Sequence, residues 1–323
     1  MSSCSFKETE TYSVCARMFP GQEGVMVVAS AGNTARAFAK VCSENNIPLL
    51  LVVPEDNLDA LWFREIINDN VKLVCTPKGS DYFDAIDLSN KICSSPMFFE
   101  EGGARNVARR DGMGTTVLSA ATFIGKTPDY YFQAIGSGTG TIAAWEANLR
   151  LIEDGRFGSG KMVLLPSQNS PFTPMYDSWK AGRREIIFKD ENEARENALK
   201  IEAKVLSNRR PPYSVPGGLF DALSDSSGDI ETVTNSELKA ACRLFEIEEG
   251  IDIHPAAGVA LAGMIKSIES GKVDKESILM LNITGGGEMR LKSEINPRYM
   301  KPNLIMSNSN DIITIVKKAE SLF

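Results

Sequence analysis

The chain has 323 residues, of which 43% are hydrophobic and 24% are charged, and its formal net charge is −7 at pH 7. This length predicts two lobes or one large α/β unit, and the composition is typical of a folded globular protein rather than of a disordered or fibrous one. The acidic balance argues against a nucleic-acid-binding surface, and no apolar run approaches the roughly 18 residues of a membrane helix.

Short runs rich in Val and Ile alternate with longer amphipathic stretches along the chain. Strands are predicted at 24–30, 47–53, 71–76, 130–135, 161–165 and 278–283. Helices are predicted at 33–44, 58–68, 81–94, 141–153, 191–206, 236–248 and 256–270. This alternation predicts an α/β fold whose mainly parallel sheets are covered by helices. Ligands bind such sheets at the carboxyl ends of the strands.

The cysteines and the single histidine limit the chemistry that the chain can carry. No two of the six cysteines have C-x-x-C spacing, so the sequence predicts no zinc knuckle, no redox pair and no metal site. One histidine, His254, makes a Ser-His-Asp hydrolase a poor candidate. The N-terminus lacks the basic and apolar regions of a signal peptide. Scattered thiols without a leader predict a cytoplasmic protein.

A glycine-rich segment, Gly136-Ser137-Gly138-Thr139-Gly140, lies between a predicted strand and a predicted helix. Glycines let the backbone approach an oxyanion closely, and the following helix adds its positive end, so the segment is a candidate phosphate site. The third glycine comes one residue too early for the dinucleotide-binding pattern, which makes a nicotinamide enzyme the weakest candidate. A tight strand-to-helix turn without a ligand explains the segment almost as well.

Two further polar segments follow predicted strands. Ser30-Ala31-Gly32-Asn33-Thr34 precedes a helix, and an ordinary N-cap is its simpler interpretation. Its functional interpretation is a nest of N–H and hydroxyl donors for a carboxylate. Thr284, which is followed by Gly285-Gly286-Gly287, would place a hydroxyl at the carboxyl edge of a sheet, although a flexible turn is the plain alternative.

Lys7 lies near a predicted helix start, beside Phe6. A lysine in such a place is usually a surface residue. Lysine is, however, the residue that forms a Schiff base with a carbonyl cofactor when its amine is desolvated or its pKa is lowered. Each of these four segments is a weak signal alone, and their order along the chain is the stronger observation.

That order resembles the fold type II pyridoxal-phosphate enzymes, and within them the threonine synthase family, most of all its archaeal cysteate synthase branch. The resemblance extends over the whole chain and rests on four stretches: Cys4-Ser5-Phe6-Lys7-Glu8, Phe99 to Asn106, Ala134 to Gly140 and Gly218 to Asp225. It implies the two-lobed α/β fold of the tryptophan synthase β type, with mainly parallel sheets covered by helices. A large cofactor-binding domain would comprise 1–20 and 126–323, and a small domain, 21–125, would carry the Ser-Ala-Gly-Asn-Thr loop.

The resemblance also implies a role for each matching residue. Lys7 matches the catalytic lysine that binds pyridoxal 5'-phosphate covalently, Asn33 the asparagine that hydrogen-bonds the cofactor ring hydroxyl, and Thr284 the hydroxyl that faces the pyridine nitrogen. The cofactor phosphate would be held by Gly136, Ser137, Gly138, Thr139 and Gly140. The substrate carboxylate would be received by Ser30, Ala31, Gly32, Asn33 and Thr34.

The implied reaction is a β-replacement in which O-phospho-L-serine and sulfite give L-cysteate and phosphate through an aminoacrylate, a step of coenzyme M biosynthesis in archaea. The partners would be these small anions and a second copy of the chain, with no nucleic acid and no membrane. Because both substrates are anions, arginines are candidate anchors. The candidates are Arg105, Arg109, Arg110, Arg183 and Arg184.

Three features bear on the alternative functions. Glu8 stands where the family commonly has aspartate, and Gly286 stands where a larger residue often lies, which weakens a plain threonine synthase acting on O-phosphohomoserine. Family members also carry further strands and helices upstream of the lysine, so we expect this chain to correspond to a longer protein without that segment. A truncated paralogue that binds the cofactor without turnover is therefore the third candidate.

Overall fold

The computed structural model describes residues 2–19, 21–187 and 190–323. Its helices, in chain order, are α1 Lys7–Ala16, α2 Asn33–Glu44, α3 Tyr82–Ile92, α4 Val107–Ile124, α5 Thr139–Asp154, α6 Pro174–Lys180, α7 Glu191–Lys200, α8 Leu219–Asp225, α9 Asn235–Glu249, α10 Pro255–Glu269, α11 Glu288–Glu294 and α12 Ile312–Glu320. Its strands are β1 Val25–Ala29, β2 Leu49–Pro54, β3 Trp62–Phe63, β4 Val71–Thr76, β5 Phe98–Glu100, β6 Tyr130–Phe132, β7 Val163–Leu164, β8 Ser167–Asn169, β9 Glu231–Val233, β10 Leu279–Leu281, β11 Arg298–Tyr299 and β12 Leu304–Ile305.

The chain forms two compact units, one of Met1–Arg109 with Leu291–Phe323 and the other of Arg110–Arg290. These bounds differ from the predicted division into 1–20 with 126–323 and 21–125, which stays a prediction. The difference has a local cause in the first unit. Helix α1 packs on α2, and strand β12 pairs with β4, so both ends of the chain join the segment between them.

The first unit is built on a five-stranded parallel sheet in the order β12-β4-β2-β1-β5. Alternation along its central strands supplies two cores, since Leu49 and Leu51 join Phe38 on one face while Leu50 and Val52 join Leu88 on the other. A strand that is buried on both faces has a continuous apolar sequence, which is why the segment Leu49–Pro54 contains no polar residue.

The second unit contains a three-stranded parallel sheet in the order β10-β6-β7 and a parallel pair formed by β8 and β9. Helices α5 and α8 pack together, and so do α9 and α10. The first unit also contains an antiparallel pair of two short strands, β3 and β11. The predicted α/β class with mainly parallel sheets is confirmed.

One predicted helix was wrong, and another was predicted too long. Residues 58–68 form no α-helix: a 3₁₀ turn at Glu55–Ala60 leads into strand β3. The physical reason is that Leu61, Trp62 and Phe63 are consecutive, and all three are buried, which a helix with one buried face would not allow. Helix α7 ends at Lys200 instead of continuing to 206, because the N–H groups of Glu202 and Ala203 bond to asparagine side chains.

Within the described ranges, no helix is both long enough and apolar enough to cross a membrane.

Candidate functional site

Lys7 opens helix α1, and its side chain is 22% exposed. Its Nζ lies 3.2 Å from Oε2 of Glu10 and 4.7 Å from the centre of the Phe6 ring. Burial lowers the pKa of the Lys7 amine, and the charge of Arg109 acts in the same direction, against the opposing pull of Glu10. A lowered pKa keeps more of the amine in the neutral form that attacks a carbonyl.

Glu10 connects Lys7 to the Ser30–Thr34 loop. Its Oε1 accepts a hydrogen bond from Oγ1 of Thr34 at 3.3 Å and lies 3.3 Å from a guanidinium nitrogen of Arg109. Arg109 in turn binds Glu101 through two parallel hydrogen bonds, of which the Nε–Oε1 bond is 2.8 Å long. Two of the elements that sequence analysis singled out, Lys7 and Thr34, therefore meet on one buried carboxylate.

The Ser30–Thr34 loop joins the end of β1 to the start of α2. Oγ of Ser30 accepts hydrogen bonds from the N–H groups of Gly32 and Ala35, both at 3.0 Å, so this hydroxyl pairs with an N–H group in the first turn of α2, whose N-cap residue is Gly32. The side chain of Asn33 is partly exposed. The loop thus offers the Asn33 amide at the carboxyl end of a parallel strand, where ligands of such sheets bind.

The glycine loop follows strand β6, and its last two residues, Thr139 and Gly140, already form the first turn of α5. Gly138 has φ +80°, a left-handed conformation that glycine adopts without strain. The N–H groups of Gly140 and Thr141 lie in the first turn of a helix, where intrahelical acceptors are lacking. Oγ1 of Thr141 is buried and has no hydrogen-bond partner among the described residues.

A buried polar network lies directly beneath the glycine loop. The Tyr131 hydroxyl donates to Oε1 of Gln133, and Nδ2 of Asn282 donates to both, at 2.8 and 3.0 Å. A Cβ atom on Gly140 would lie 2.6 Å from Oε1 of the same Gln133. The network therefore connects residues at the ends of the neighbouring strands β6 and β10, and its Gln133 lies against the backbone of Gly140.

Thr284 lies three residues beyond the end of β10, on the same edge of the sheet as the glycine loop, since β6 and β10 are parallel neighbours. The glycines after it are held by the segment that precedes α10. The N–H of His254 donates to the carbonyl of Gly285 at 2.9 Å, and that of Gly287 donates to Asp252 at 2.7 Å. A Cβ on Gly286 would lie 2.7 Å from the Asp252 carbonyl oxygen, which explains why a larger residue is absent there.

Three of the five candidate anion anchors are engaged by acidic side chains. Arg109 is buried between Glu101 and Glu10, as described above. Nε of Arg110 lies 2.9 Å from Oε2 of Glu146, and Arg184 forms two hydrogen bonds of 2.7 Å with Asp221. These guanidinium groups are held by partners inside their own units, so the structure favours none of the three as an anchor for a small anion.

The residues present fit pyridoxal phosphate. Lys7 is a half-buried amine of lowered pKa. Taken by itself, the Gly136–Gly140 loop is a glycine turn in which a Cβ on Gly140 would collide with Gln133, and the next residue, Thr141, has a buried hydroxyl with no partner among the described residues. A reactive amine suits an aldehyde, and a glycine turn at a helix N-terminus suits a phosphate.

Sequence reasoning missed Glu10, although its spacing from Lys7 is that of neighbours on one helix face. This i,i+3 spacing was a usable signal. Glu101 and Arg109 belong to different segments from Lys7, and no sequence pattern indicates that they meet Glu10.

Comparison with known proteins agrees with this chemistry. The family described as pyridoxal-phosphate dependent enzyme matches residues 1–285. The chain is 48% identical over 309 residues to a cysteate synthase of Methanosarcina acetivorans, covering 95% of this chain and 74% of that protein. It is 50% identical over 307 residues to a cysteate synthase of Methanocella paludicola, covering 94% of this chain and 71% of that protein.

A solved structure shows the same fold at low sequence similarity. A fungal L-serine ammonia-lyase from Rhizomucor miehei aligns with a TM-score of 0.66 at 16% identity, over 90% of this chain and 88% of that chain. The predicted fold type is thereby confirmed. From the family match over most of its length, the chain belongs to the pyridoxal-phosphate dependent enzymes.

Proposed function

We propose that the chain converts O-phospho-L-serine and sulfite into L-cysteate and phosphate. The observation that carries the proposal is the near-50% identity, over about 95% of the chain, to proteins named cysteate synthase. The structure supports the proposal, because a pyridoxal-phosphate enzyme needs a lysine of lowered pKa, such as Lys7, and a glycine turn that can hold a phosphate, such as Gly136–Gly140.

Pyridoxal phosphate, when bound, withdraws electrons from the substrate α-carbon. In the proposed roles, Lys7 would bind the cofactor aldehyde, and the Gly136–Gly140 loop would hold its phosphate through backbone N–H groups. The side-chain amide of Asn33 would donate a hydrogen bond to the ring hydroxyl. The Thr284 hydroxyl would serve the ring nitrogen and bring no formal charge to it.

The Ser30–Thr34 loop would receive the substrate carboxylate and so orient the α-proton toward Lys7. Lys7, once the substrate amine has taken its place on the cofactor aldehyde and freed Nζ, would take that proton. The electron pair of the C–H bond would form a Cα–Cβ double bond as phosphate leaves Cβ with the electrons of the C–O bond. The sulfur lone pair of sulfite then forms the new bond to Cβ. Lys7 returns the proton to Cα, which completes the replacement.

The test is incubation of the purified chain with pyridoxal phosphate and O-phospho-L-serine, with and without sulfite. We expect L-cysteate only when sulfite is present, together with equimolar phosphate. A parallel incubation with O-phosphohomoserine is assayed for threonine. Formation of threonine there, with no cysteate from O-phospho-L-serine and sulfite, would contradict the proposal. A yellow protein that releases no phosphate from either substrate would favour the non-catalytic paralogue.

Borohydride reduction followed by peptide mass spectrometry tests the role of Lys7. We expect the pyridoxyl group on the peptide that contains Lys7, and no trapped adduct in Lys7→Ala. Lys91→Ala is the matched control, because Lys91 pairs with Asp87 on helix α3 and should not affect trapping. An adduct on another lysine would contradict the assignment.

We also propose that the chain acts in the cytoplasm as a homo-oligomer. No disulfide bond joins cysteines among the described residues, which suits a reducing compartment. Light scattering at several protein concentrations would test the oligomer, and a monomer at every concentration would contradict it.

A further inference from the structure

Glu10 is a buried carboxylate with no exposed surface, and three groups contact it. One oxygen lies 3.2 Å from Nζ of Lys7. The other lies 3.3 Å from Nη1 of Arg109 and accepts a hydrogen bond from Oγ1 of Thr34, also at 3.3 Å. Both oxygens are thus used, and the side chain is fixed from three directions.

The charges around Glu10 nearly balance. Lys7 and Arg109 are the cations, and Glu10 and Glu101 are the carboxylates. Tyr82 also faces the cluster, and burial raises its pKa, so its hydroxyl stays neutral. Such an arrangement lets four charged side chains remain out of water, because each charge has an opposite neighbour.

We infer that Glu10 is a positioning residue for Lys7, which it holds beside the Ser30–Thr34 loop and whose ammonium form it stabilises. The inference rests on the proposed function, in which Lys7 takes the substrate α-proton. When that proton arrives, Nζ becomes positively charged at 3.2 Å from the Glu10 carboxylate. Glu10 therefore makes Lys7 a stronger base than burial beside Arg109 alone would allow.

Thr34 extends the same link to the substrate loop. Its hydroxyl donates to Glu10, so the loop that would receive the substrate carboxylate and the amine that would act as base share one anchor. The competing interpretation is that Glu10 serves only as a core partner of Arg109. In that case the titration of Lys7 would not depend on the charge of Glu10.

The experiment compares the pH dependence of Lys7 labelling in wild-type protein and in Glu10→Gln, both without cofactor. Trace acetylation between pH 6 and 11, read out by mass spectrometry of the peptide that contains Lys7, gives the midpoint at which the amine becomes neutral. We expect the midpoint in Glu10→Gln to fall by about 1 pH unit or more, because an opposite charge within about 4 Å is lost.

Glu8→Gln is the matched control. Glu8 is a buried glutamate on the same helix, but it pairs with Lys40 at 3.2 Å instead of with Lys7. We expect its Lys7 midpoint to equal that of the wild type. An equal fall in both variants would assign the effect to the helix as a whole and overturn the inference.

Borohydride trapping with pyridoxal phosphate separates this inference from the proposed function. If wild-type Lys7 gives no trapped adduct, the proposed function fails. If wild-type Lys7 is trapped but its labelling midpoint is unchanged in Glu10→Gln, the inference about Glu10 alone fails. Circular dichroism shows whether Glu10→Gln folds. If it does not, Glu10→Asp replaces it, because the shorter side chain moves the carboxylate away from Lys7 by about one methylene length. A Lys7 midpoint in Glu10→Asp equal to that of the wild type would then overturn the inference.

Discussion

Gly140 and Gln133 approach each other so closely that a Cβ atom on the glycine would lie 2.6 Å from Oε1 of the glutamine, and closer still to its Nε2. Gln133 cannot retreat freely, because it is buried and bonded to Tyr131 and Asn282. The backbone of the glycine loop therefore rests on a fixed polar support. This relationship leads to the first two predictions.

Gly140→Ala should weaken the binding of pyridoxal phosphate at least about fivefold, because overpacking of this kind costs about 1–3 kcal/mol and moves the loop. The measurement is a titration of the chain with pyridoxal phosphate, followed by absorbance. Gly160→Ala is the control, since a Cβ there would meet no atom within 4 Å. Equal affinities in the two variants would contradict the proposed phosphate site.

Tyr131→Phe should lower the free energy of unfolding by about 1–3 kcal/mol, because it leaves buried groups of Gln133 and Asn282 with one partner fewer. Urea denaturation followed by circular dichroism measures the change. Tyr299→Phe, at a half-exposed tyrosine, should change stability by less than about 0.5 kcal/mol. A loss in Tyr131→Phe no larger than in this control would argue against the network.

Arg109→Met should be strongly destabilising, by about 3–5 kcal/mol, because it leaves the buried carboxylate of Glu101 without its cation and leaves Glu10 with Lys7 alone. Unfolding in urea again gives the free energy. The double variant Arg109→Met/Glu101→Gln should recover part of the loss, since it also removes one of the uncompensated charges. A double variant less stable than Arg109→Met would show that the pair is not the source of the effect.

Stability should fall in acid partly through Glu8. Burial acts to raise the pKa of Glu8, but hydrogen bonds from Ser3 and the ion pair with Lys40 outweigh it and hold that pKa below its ordinary value. A carboxyl with a lowered folded pKa contributes stability above its unfolded pKa, near 4.3, and loses it as the pH falls through the folded value.

The check is the free energy of unfolding measured from about pH 6 down to pH 3, in wild-type protein and in Glu8→Gln. We expect a smaller loss in the variant, because it has no carboxylate to protonate at this position. Parallel curves for the two proteins would refute the contribution of Glu8.

The order of motifs along the chain was enough to predict the family and the α/β fold with mainly parallel sheets. Those features are local: a strand such as Leu49–Pro54 is a continuous apolar run, and the Ser30 hydroxyl accepts hydrogen bonds from N–H groups two and five residues further along the chain. Segment 58–68 was assigned wrongly because the burial of all three residues Leu61, Trp62 and Phe63, which excludes a helix with one buried face, is decided by tertiary packing. The roles of Lys7, Asn33 and Thr284 stay predictions, and the trapping experiment above tests that of Lys7.

The sequence by itself determined which chemical groups are present and which strand or helix end carries them, since propensity and periodicity act over a few residues. Only the tertiary structure decided that Lys7, Thr34 and Arg109 converge on Glu10, and that Gln133 supports Gly140. Thr34 and Glu10 are separated by 24 residues, and Asn282 and Gln133 by 149. Contacts at such separations depend on how the strands are ordered in each sheet, and this order is set by the packing of whole elements.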